Sequence, residues 1–400
     1  MNERTLMDDP ARVSEIVAAL RRAGSFALDL EFVSESRYIP ELSLVQVGWG
    51  DPDSPAVAAI DPLAVDVEPV AQLLADPEVE KVLHAAQADL ALLGQRFAVA
   101  GRNVFDTQIA AAYLGIGDQI GYGNLVQKVL GVTLDKGAQF TQWSRRPLDD
   151  EQIRYALDDV RYLPEIRRRL GEQLDARRRM AWVREESQRL AAANAERPKP
   201  EEIYRKIKGW DRMAPRSQGV VRVLAAWRER RALAGNKPPQ WVLQDRVLLE
   251  IARRPPKKLA DFERVRGIKE GFVRRHGREL LERVREGLAH PLEPSPRPPA
   301  LSDEQKVQSS MVSAIVQAMS REAGVAPRFV ASRDEVEALV RWWGSGDREL
   351  ASAPELGILT GWRRQLAGQP VLDWLAGRTS IVAAADGIEL RTVESPQGQR

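Results

Sequence analysis

Two carboxylates stand two residues apart inside an apolar run near the start of the chain. The stretch from 25 to 47 reads SFALDLEFVSESRYIPELSLVQV and contains Asp29 and Glu31. Because side chains alternate between the two faces of a β-strand, both carboxylates point to the same face. Two such charges repel each other unless a proton or a cation lies between them, so the pair indicates a metal site. The same spacing also arises on ordinary half-exposed strands, so this interpretation needs further carboxylates that converge on the pair.

The residues around this pair predict a mixed α/β region. The first elements are a helix at 11–23 and strands at 25–32, 42–49 and 56–60. The short connections between these strands favour an antiparallel meander. Further along the chain the pattern predicts a helix at 67–75, a strand at 80–84, a helix at 87–97, a strand at 103–105, a helix capped by Asp106 and a long helix at 149–173. We expect Pro164 to kink or restart the long helix.

Two later segments supply more carboxylates. Asp89 lies in the first turn of the helix predicted at 87–97, and Tyr155 and Asp159 share one face of the helix predicted at 149–173. Two-metal phosphoryl-transfer sites need several carboxylates, because two divalent cations require hard oxygen ligands and partial neutralisation of their charge. Asp89 and Asp159, together with Asp29 and Glu31, supply four carboxylates. Each also has a structural explanation, since an aspartate suits the dipole of a helix start and a tyrosine is a common core residue.

Charge is distributed unevenly along the chain. Residues 196–290 hold 25 Lys and Arg against 13 Asp and Glu, a net charge of +12, whereas residues 1–195 carry −8 and residues 291–400 carry −2. A basic block beside an acidic one favours a polyanionic partner, most simply nucleic acid. The alternative is an Arg-rich solvated helical surface. Within the block, residues 217–290 predict a helical bundle, because amphipathic segments alternate with turns that contain Pro and Gly.

The composition also excludes some classes of site and location. The chain contains 0 cysteines, which excludes disulfides and thiolate metal sites. Its start, MNERTLMDDP, lacks the apolar segment of a signal peptide, and no run approaches the length of a membrane span. We therefore expect a cytoplasmic protein that does not associate with membranes.

Taken together, the motifs resemble those of the DEDD class of 3′-to-5′ exonucleases, and of the bacterial ribonuclease D family within it. The first motif of that class is DxE, matched by Asp29 and Glu31. The second ends in an aspartate early in a helix, matched by Asp89 in LHAAQADLALL. The third, in the tyrosine subclass, is YxxxD, matched by Tyr155 and Asp159. Each motif is weak alone, and the three in order are specific together.

The resemblance implies an architecture for the whole chain. It predicts an α/β, ribonuclease H-like (DnaQ-like) mixed-sheet exonuclease domain followed by two all-α HRDC-like domains. The segment 121–148, GYGNLVQKVLGVTLDKGAQFTQWSRRPL, is similar to the one that ribonuclease D carries before its third motif. The implied division is an exonuclease domain at 1–195, a linker at 196–216, an HRDC domain at 217–290, a Pro-rich linker at 291–300, a second, divergent HRDC-like domain at 301–376 and a C-terminal tail at 377–400.

The resemblance also implies a reaction. The chain would hydrolyse the terminal phosphodiester at RNA 3′ ends, release nucleoside monophosphates and use two Mg²⁺ or Mn²⁺ ions. Asp29 would bridge both ions, with Glu31 and Asp159 on the side of the attacking water. Asp89 would help to hold the other ion, and Tyr155 would hydrogen-bond the attacking water. The implied partner is RNA, with tRNA precursors as substrates, and no obligate protein partner is implied.

Other residues are weaker candidates for the site or for RNA contact. Arg145 and Arg146 lie close upstream of the third motif and are either phosphate contacts or exposed charges beside a helix. His84 precedes the helix of Asp89, and a structural role is the expectation for it. Six tryptophans could stack on bases, although core positions are more common in small helical domains. They are Trp227, Trp241, Trp342, Trp343, Trp362 and Trp374.

Two other functions stay open. A 3′-to-5′ DNA exonuclease would use the same chemistry, although the lack of a GxxxxGK[ST] motif and the resemblance along the whole chain favour RNA. A catalytically silent RNA-binding scaffold would be expected to lack one of the four carboxylates, and all four are present. We also expect the residues that cleave RNA and the basic block that binds it to lie in different parts of the chain. A truncation after residue 196 should therefore retain cleavage of short oligomers and weaken action on larger RNA.

Overall fold

The computed structural model describes residues 6–135, 137, 141–193, 197–293, 298–346, 348–385 and 387–393. Four parts of these predictions lie outside the described ranges: the boundary between 195 and 196, the centre of the Pro-rich linker, residues 136 and 138–140 of the segment 121–148, and the end of the tail. Within them, no helix combines the length and the apolar character needed to cross a bilayer.

Five strands near the start of the chain form one mixed sheet. They are β1 (Ser25–Val33), β2 (Glu41–Trp49), β3 (Ala56–Ile60), β4 (Glu80–Leu83) and β5 (Val104–Asp106). Their order across the sheet is β3-β2-β1-β4-β5. The pairs β1–β2 and β2–β3 are antiparallel, while β1–β4 and β4–β5 are parallel. The predicted meander, and the crossovers after it, are confirmed.

Eight helices surround this sheet. They are α1 (Pro10–Ala23), α2 (Glu68–Gln72), α3 (Gln87–Phe97), α4 (Thr107–Tyr113), α5 (Tyr122–Leu130), α6 (Asp150–Arg161), α7 (Leu163–Ala176) and α8 (Met180–Ala193), with a 3₁₀ turn at Leu73–Ala75. Pro164 lies in the first turn of α7, directly after the end of α6, as its missing N–H and fixed φ predict. Asp106 caps α4, accepting hydrogen bonds from the N–H groups of Gln108 and Ile109.

The two faces of the sheet pack into two different apolar cores. Leu28 and Leu30 of β1 join the core that α1 covers, whereas Ala27 joins the core that α6 covers. The alternation of side chains therefore directs Asp29 and Glu31 toward α6. Gly48 on β2 lets α6 approach closely, because a side-chain carbon at this position would lie 2.9 Å from the carbonyl oxygen of Val160.

A first helical unit, residues 200–293, has an apolar core of its own. It contains α9 (Pro215–Ala234), α10 (Pro239–Val242), α11 (Asp245–Arg253) and α12 (Glu270–Ala289), with 3₁₀ turns at Pro200–Lys206, Trp210–Arg212 and Leu259–Arg264. The core includes Leu224, Leu248, Leu280 and also Tyr204 and Ile207. Part of the interval predicted as a linker, 196–216, is therefore packed against α9. The six-part domain division remains a prediction.

A second helical unit, residues 303–375, shares its core with the region of the five-stranded sheet. It contains α13 (Asp303–Ala323), α14 (Pro327–Val330), α15 (Arg333–Gly344), α16 (Gly361–Arg363) and α17 (Gln369–Leu375), with 3₁₀ turns at Leu350–Ser352 and Gly357–Leu359 and a π turn at Arg364–Gly368. One core joins Ile315 and Leu339 of this unit to Leu114 and Ile166.

A hairpin follows the second helical unit where the sequence predicted a tail. Strands β6 (Thr379–Ala384) and β7 (Gly387–Thr392) pair in antiparallel fashion. Ile381, Ile388 and Leu390 pack against the shared core. Ile381 pairs with Leu390 across the two strands, so the hairpin has an apolar face to bury, which corrects the expectation of a tail over this part of 377–400.

Candidate active site

Three of the four predicted carboxylates converge on one face of the sheet, at its central strand β1. Asp29, Glu31 and Asp159 each offer one oxygen, and these oxygens all lie within 4.8 Å of one another. The first two come from the same face of β1, and the third comes from α6, which passes over that face. The close approach of α6 at Gly48 brings these two elements together.

The helix that carries Tyr155 and Asp159 is held firmly at its start. Asp149 and Gln152 form a capping box, in which the Gln152 N–H donates to Asp149 Oδ1 at 2.8 Å and the Asp149 N–H donates to Gln152 Oε1 at 3.0 Å. The ring of Tyr155 packs against Trp143 with centroids 6.1 Å apart. Its hydroxyl makes no hydrogen bond to any described residue, so it is available to another molecule in the site.

The fourth carboxylate, Asp89, lies outside the group of three and close enough to it for the charges of Asp29 and Glu31 to act on its pKa. Asp89 is buried in the first turn of α3, and no described residue donates a hydrogen bond to its carboxylate. The start of this helix is fixed by Asp106, whose oxygens accept from the N–H groups of Ala85 at 3.2 Å and Ala86 at 2.9 Å. Burial, and then the charges of Asp29 and Glu31, raise the pKa of Asp89 well above its ordinary value.

The carboxylates of the group have strongly shifted pKa values. Burial raises the pKa of Asp29 to about 7. Burial and the charge of Asp29 raise the pKa of Glu31 to about 8. Burial, followed by repulsion from Asp29 and Glu31, raises the pKa of Asp159 to about 9. Clusters of carboxylates with such raised pKa values are typical of functional sites.

These residues fit divalent cations. Three acidic side chains converge with a fourth beside them, and no Lys or Arg among the described residues forms a salt bridge with any of the four. Buried charges of one sign need a counter-charge, and carboxylate oxygens are the ligands that Mg²⁺ and Mn²⁺ prefer. The donor set therefore suits divalent metal ions.

A residue that the sequence motifs missed also faces the site. Tyr122 lines a cleft beside Tyr155 and Asp159, together with Gly121 and Asn124. Its hydroxyl donates to the carbonyl oxygen of Asp158 at 2.9 Å. Burial, and then the charges of Asp159 and Asp29, raise its pKa. The sequence feature that could have pointed to Tyr122 is its place in GYGN, at the start of the segment 121–148.

His84 has a structural role, as expected. Its ring nitrogens lie 2.9 Å from the Thr107 hydroxyl and 3.0 Å from the Ile120 carbonyl oxygen. The ring packs near Tyr122, with centroids 5.6 Å apart. Burial lowers the pKa of His84, which favours the neutral ring. His84 therefore supports the wall of the cleft.

The two arginines predicted as phosphate contacts differ. Arg146 uses its guanidinium internally, donating to both oxygens of Asp61 at 2.6 Å and to the carbonyl oxygens of Ser43, Trp143 and Arg145 at 2.7, 2.7 and 3.0 Å. All five N–H donors of a guanidinium are thereby occupied. These internal hydrogen bonds favour a structural role for Arg146, whose contact with RNA stays a prediction, whereas Arg145 is exposed.

The six tryptophans are mostly core or partly buried residues. Trp227, Trp342 and Trp362 are buried. Trp343 and Trp374 pack at the edge of the shared core. Trp241 is the exception, with 65% of its surface exposed. Base stacking is therefore not the general role of these side chains.

Three protein families match successive parts of the chain. Residues 5–175 match a 3′-5′ exonuclease family. Residues 217–284 match the HRDC domain. Residues 306–371 match the C-terminal HRDC domain of ribonuclease D.

Whole proteins match over nearly the full chain. Ribonuclease D of Gluconacetobacter diazotrophicus is 36% identical over 389 residues, covering 94% of each chain. Ribonuclease D of Zymomonas mobilis is 33% identical over 402 residues, covering 98% of this chain and 100% of the relative. The crystal structure of Escherichia coli RNase D, an exoribonuclease involved in structured RNA processing, superimposes with a TM-score of 0.79 at 27% identity, covering 94% of this chain and 99% of that chain.

Proposed function

The chain belongs to the ribonuclease D family, and we propose that Asp29, Glu31, Asp89 and Asp159 form its active site. As a member of this family it is a metal-dependent 3′-to-5′ exoribonuclease, with an exonuclease domain and helical HRDC domains. The observation that carries the assignment of the site is the convergence of three carboxylates within 4.8 Å, with the fourth buried nearby.

We propose that these residues hold two divalent ions, Mg²⁺ or Mn²⁺. Asp29 would be shared by both ions, with Glu31 and Asp159 completing the carboxylates of one and Asp89 serving the other. When bound, such ions lower the pKa of a coordinated water and stabilise charge on the phosphate and on the leaving 3′ oxygen. The chain supplies the rigid acidic frame, fixed by β1, by the capped start of α6 and by the Asp106 contacts before α3.

Tyr155 would orient the water that attacks the terminal phosphodiester. Burial, followed by the charges of Asp159, Glu31 and Asp29, raises its pKa, so the phenol keeps its proton throughout the neutral range. A protonated hydroxyl can both accept and donate a hydrogen bond, which suits the positioning of water. Packing of the ring against Trp143 limits its rotation, which supports a fixed direction for the hydroxyl.

We propose tRNA precursors and other structured RNAs with 3′ extensions as the substrates, and the cytoplasm as the place of action. The Escherichia coli relative is described as taking part in structured RNA processing, which supports this substrate class. Beyond the active site, the body of such an RNA presents phosphates to the protein, and exposed cations bind them without regard to sequence. Arg145, near the third motif, would be one such contact.

A basic strip on the first helical unit would bind the body of the RNA. It consists of four exposed cations on a short stretch, Arg205, Lys206, Lys208 and Arg212. No described carboxylate forms a salt bridge with any of them. Buried Tyr204 and Ile207 fix the stretch to the unit, and the Tyr204 ring meets Trp210 edge-on with centroids 4.6 Å apart. Four exposed cations that form no salt bridge with a described carboxylate, on a rigid support, suit a phosphate backbone.

The test compares two neighbouring aspartates of α6. Asp159→Asn removes a proposed ligand, whereas Asp158→Asn removes a side chain that pairs with Arg161 at 3.1 Å. Each protein is incubated with a 3′-extended tRNA precursor and with single-stranded DNA, with and without Mg²⁺, and the products are sized. We expect Asp159→Asn to lose at least about 100-fold in rate, since even outer ligands of metal sites contribute 10–100-fold. Asp158→Asn should retain release of mononucleotides from RNA.

Two outcomes would contradict the proposal. Equal rates for the two variants would remove Asp159 from the site. A wild-type protein that degrades the DNA and spares the tRNA precursor would contradict the substrate class.

A further inference from the structure

Gln46 is a buried polar residue with no role in the proposed site. Its side chain is fully buried, and neither Nε2 nor Oε1 has a hydrogen-bond partner among the described residues. A buried donor or acceptor without a partner destabilises the folded state, because it has lost its hydrogen bonds to water. Such groups are rare in folded proteins, so each one needs a physical explanation.

The register of the sheet identifies what Gln46 faces. Its cross-strand partners are Asp29 on β1 and Ala59 on β3. Along β2, its neighbours on the same face are Leu44 and Gly48. Of these four, only Asp29 has a polar side chain. Residues directly opposite in an antiparallel pair share a face, with Cβ atoms about 4.5–5.5 Å apart, so the amide is within reach of the Asp29 carboxylate.

We propose that Gln46 is a positioning residue for the metal site, donating a hydrogen bond from Nε2 to the Asp29 carboxylate when that carboxylate holds a divalent ion. The proposal rests on the proposed function, because it takes Asp29 as a ligand. A donor on one side of the carboxylate leaves the remaining lone pairs directed at the ions. Hydrogen bonds of this kind orient ligands, and their loss typically weakens metal affinity 10–100-fold.

The amide also explains why a polar residue is tolerated between apolar neighbours under α6. An apolar side chain at position 46 would pack beside Leu44 without an unpaired group. It would leave Asp29 with no donor from β2. Gln46 therefore destabilises the metal-free fold and orders the metal-bound site. Its removal should stabilise the metal-free protein and weaken metal binding.

The test is Gln46→Met in the full chain, since methionine has a similar length and no amide. The Mn²⁺ dissociation constant is measured by calorimetry, and the thermal midpoint of unfolding is measured in EDTA. We expect Mn²⁺ to bind 10–100-fold more weakly. We expect the midpoint in EDTA to equal or exceed that of the wild type, because the change removes two unpaired polar atoms.

Leu44→Met is the matched control, since it changes packing on the same face of β2 and removes no donor. It should leave Mn²⁺ affinity unchanged. The proposal is overturned if Gln46→Met binds Mn²⁺ within about twofold of the wild type, or if its midpoint in EDTA falls, which would show a structural partner. A wild-type protein that binds Mn²⁺ no better than Asp159→Asn would instead overturn the proposed metal site.

Discussion

The two helical units meet the exonuclease domain in opposite ways. The first unit contacts the loop between β1 and β2 through hydrogen bonds, in which the N–H groups of Tyr38 and Ile39 donate to Asn236 Oδ1, both at 3.1 Å, and the Tyr38 hydroxyl donates to Glu229. The second unit contributes aromatic side chains to a shared core. There the ring of Trp362 stacks on Trp182, with centroids 4.5 Å apart.

The basic side chains of the two units differ in the same way. Arg363 of the second unit is 3% exposed and donates to Glu185 at 2.9 Å and to Glu186 at 2.5 Å on α8. The basic strip of the first unit is exposed and has no carboxylate partner among the described residues. The difference indicates that the second unit is a structural part of the exonuclease body, which here means β1–β5 and α1–α8, and that the first unit presents its charge to the solvent, where the proposed RNA contact needs it. We therefore expect a truncation after residue 196 to lower the stability of the exonuclease body as well as RNA affinity, whereas the sequence alone predicted a loss of affinity only.

The largest expected effect is that of removing the Trp362 ring. Trp362→Ala should lower the free energy of unfolding of the exonuclease body by about 3–5 kcal/mol, the usual cost of truncating a buried large aromatic residue. Urea unfolding followed by circular dichroism measures this loss. Trp241→Ala in the first unit is the control, and its effect should stay within about 0.5 kcal/mol because the side chain is 65% exposed. Similar losses for both variants would contradict the shared core.

The second largest expected effect is that of divalent ions, which should stabilise the exonuclease body and leave the stability of the first helical unit unchanged. The carboxylates of the site have unfolded pKa values near 4 and folded values of about 7, 8 and 9. Between these limits the folded state keeps protons that the unfolded state has lost, so the metal-free exonuclease body becomes less stable as the pH rises from about 4 to about 9. Divalent ions bind the ionised carboxylates and should restore about 2.7 kcal/mol at 100 times their dissociation constant.

Calorimetric melting at pH 5.5 and pH 8, with Mn²⁺ and with EDTA, measures how stability depends on pH and on the metal ion. We expect the metal-induced shift to be larger at pH 8 and to reach roughly 5–10 °C. It should affect the transition of the exonuclease body with the second unit and leave the transition of the first unit unchanged. Asp29→Asn should raise the midpoint in EDTA at pH 8, because it removes one repelling charge, and should abolish most of the shift. A single transition that moves as a whole would show that the first unit is not independent.

The parts of the fold that depend on local patterns were predictable from sequence. The strands around Asp29, the helix cap at Asp106 and the helix break at Pro164 each follow from spacing within a few residues. Asp29 and Glu31 share a face for the same reason. The contribution of Asp159 needed the family resemblance, because no local pattern shows that α6 crosses β1.

The parts that depend on distant contacts were not predictable. In the sequence, Gln46 is a single polar residue within an apolar strand, and nothing local indicates its neighbour. Only the register between β1 and β2 places it opposite Asp29. The sequence suggested an accessible cation at Arg146, because its partner Asp61 is 85 residues away in the chain. The second unit was expected to be a separate domain, since the sequence does not reveal that Trp362 stacks on Trp182.

The smallest effect should come from the basic strip, and it concerns RNA alone. Replacing Lys206, Lys208 and Arg212 by Gln should weaken binding of a 3′-extended tRNA precursor about tenfold, or about 1.4 kcal/mol, as expected for three exposed contacts of ~0.5 kcal/mol each. Binding is measured in Ca²⁺, over a range of salt concentrations, so that the RNA is not consumed. The slope of log affinity against log salt should fall by about 2–3, because three fewer phosphates are neutralised.

A second triple variant of the first unit separates position from net charge. Replacing Arg253, Arg254 and Arg283 by Gln removes the same charge, but these side chains already pair with Glu250 or Glu286. Since a paired cation releases fewer counterions when RNA binds, this variant should keep most of the affinity and of the salt slope. Both variants should degrade a short oligomer in Mg²⁺ at the wild-type rate. Equal loss of affinity in the two variants would mean that RNA responds to total charge, and the contrast between the units would then rest on packing alone.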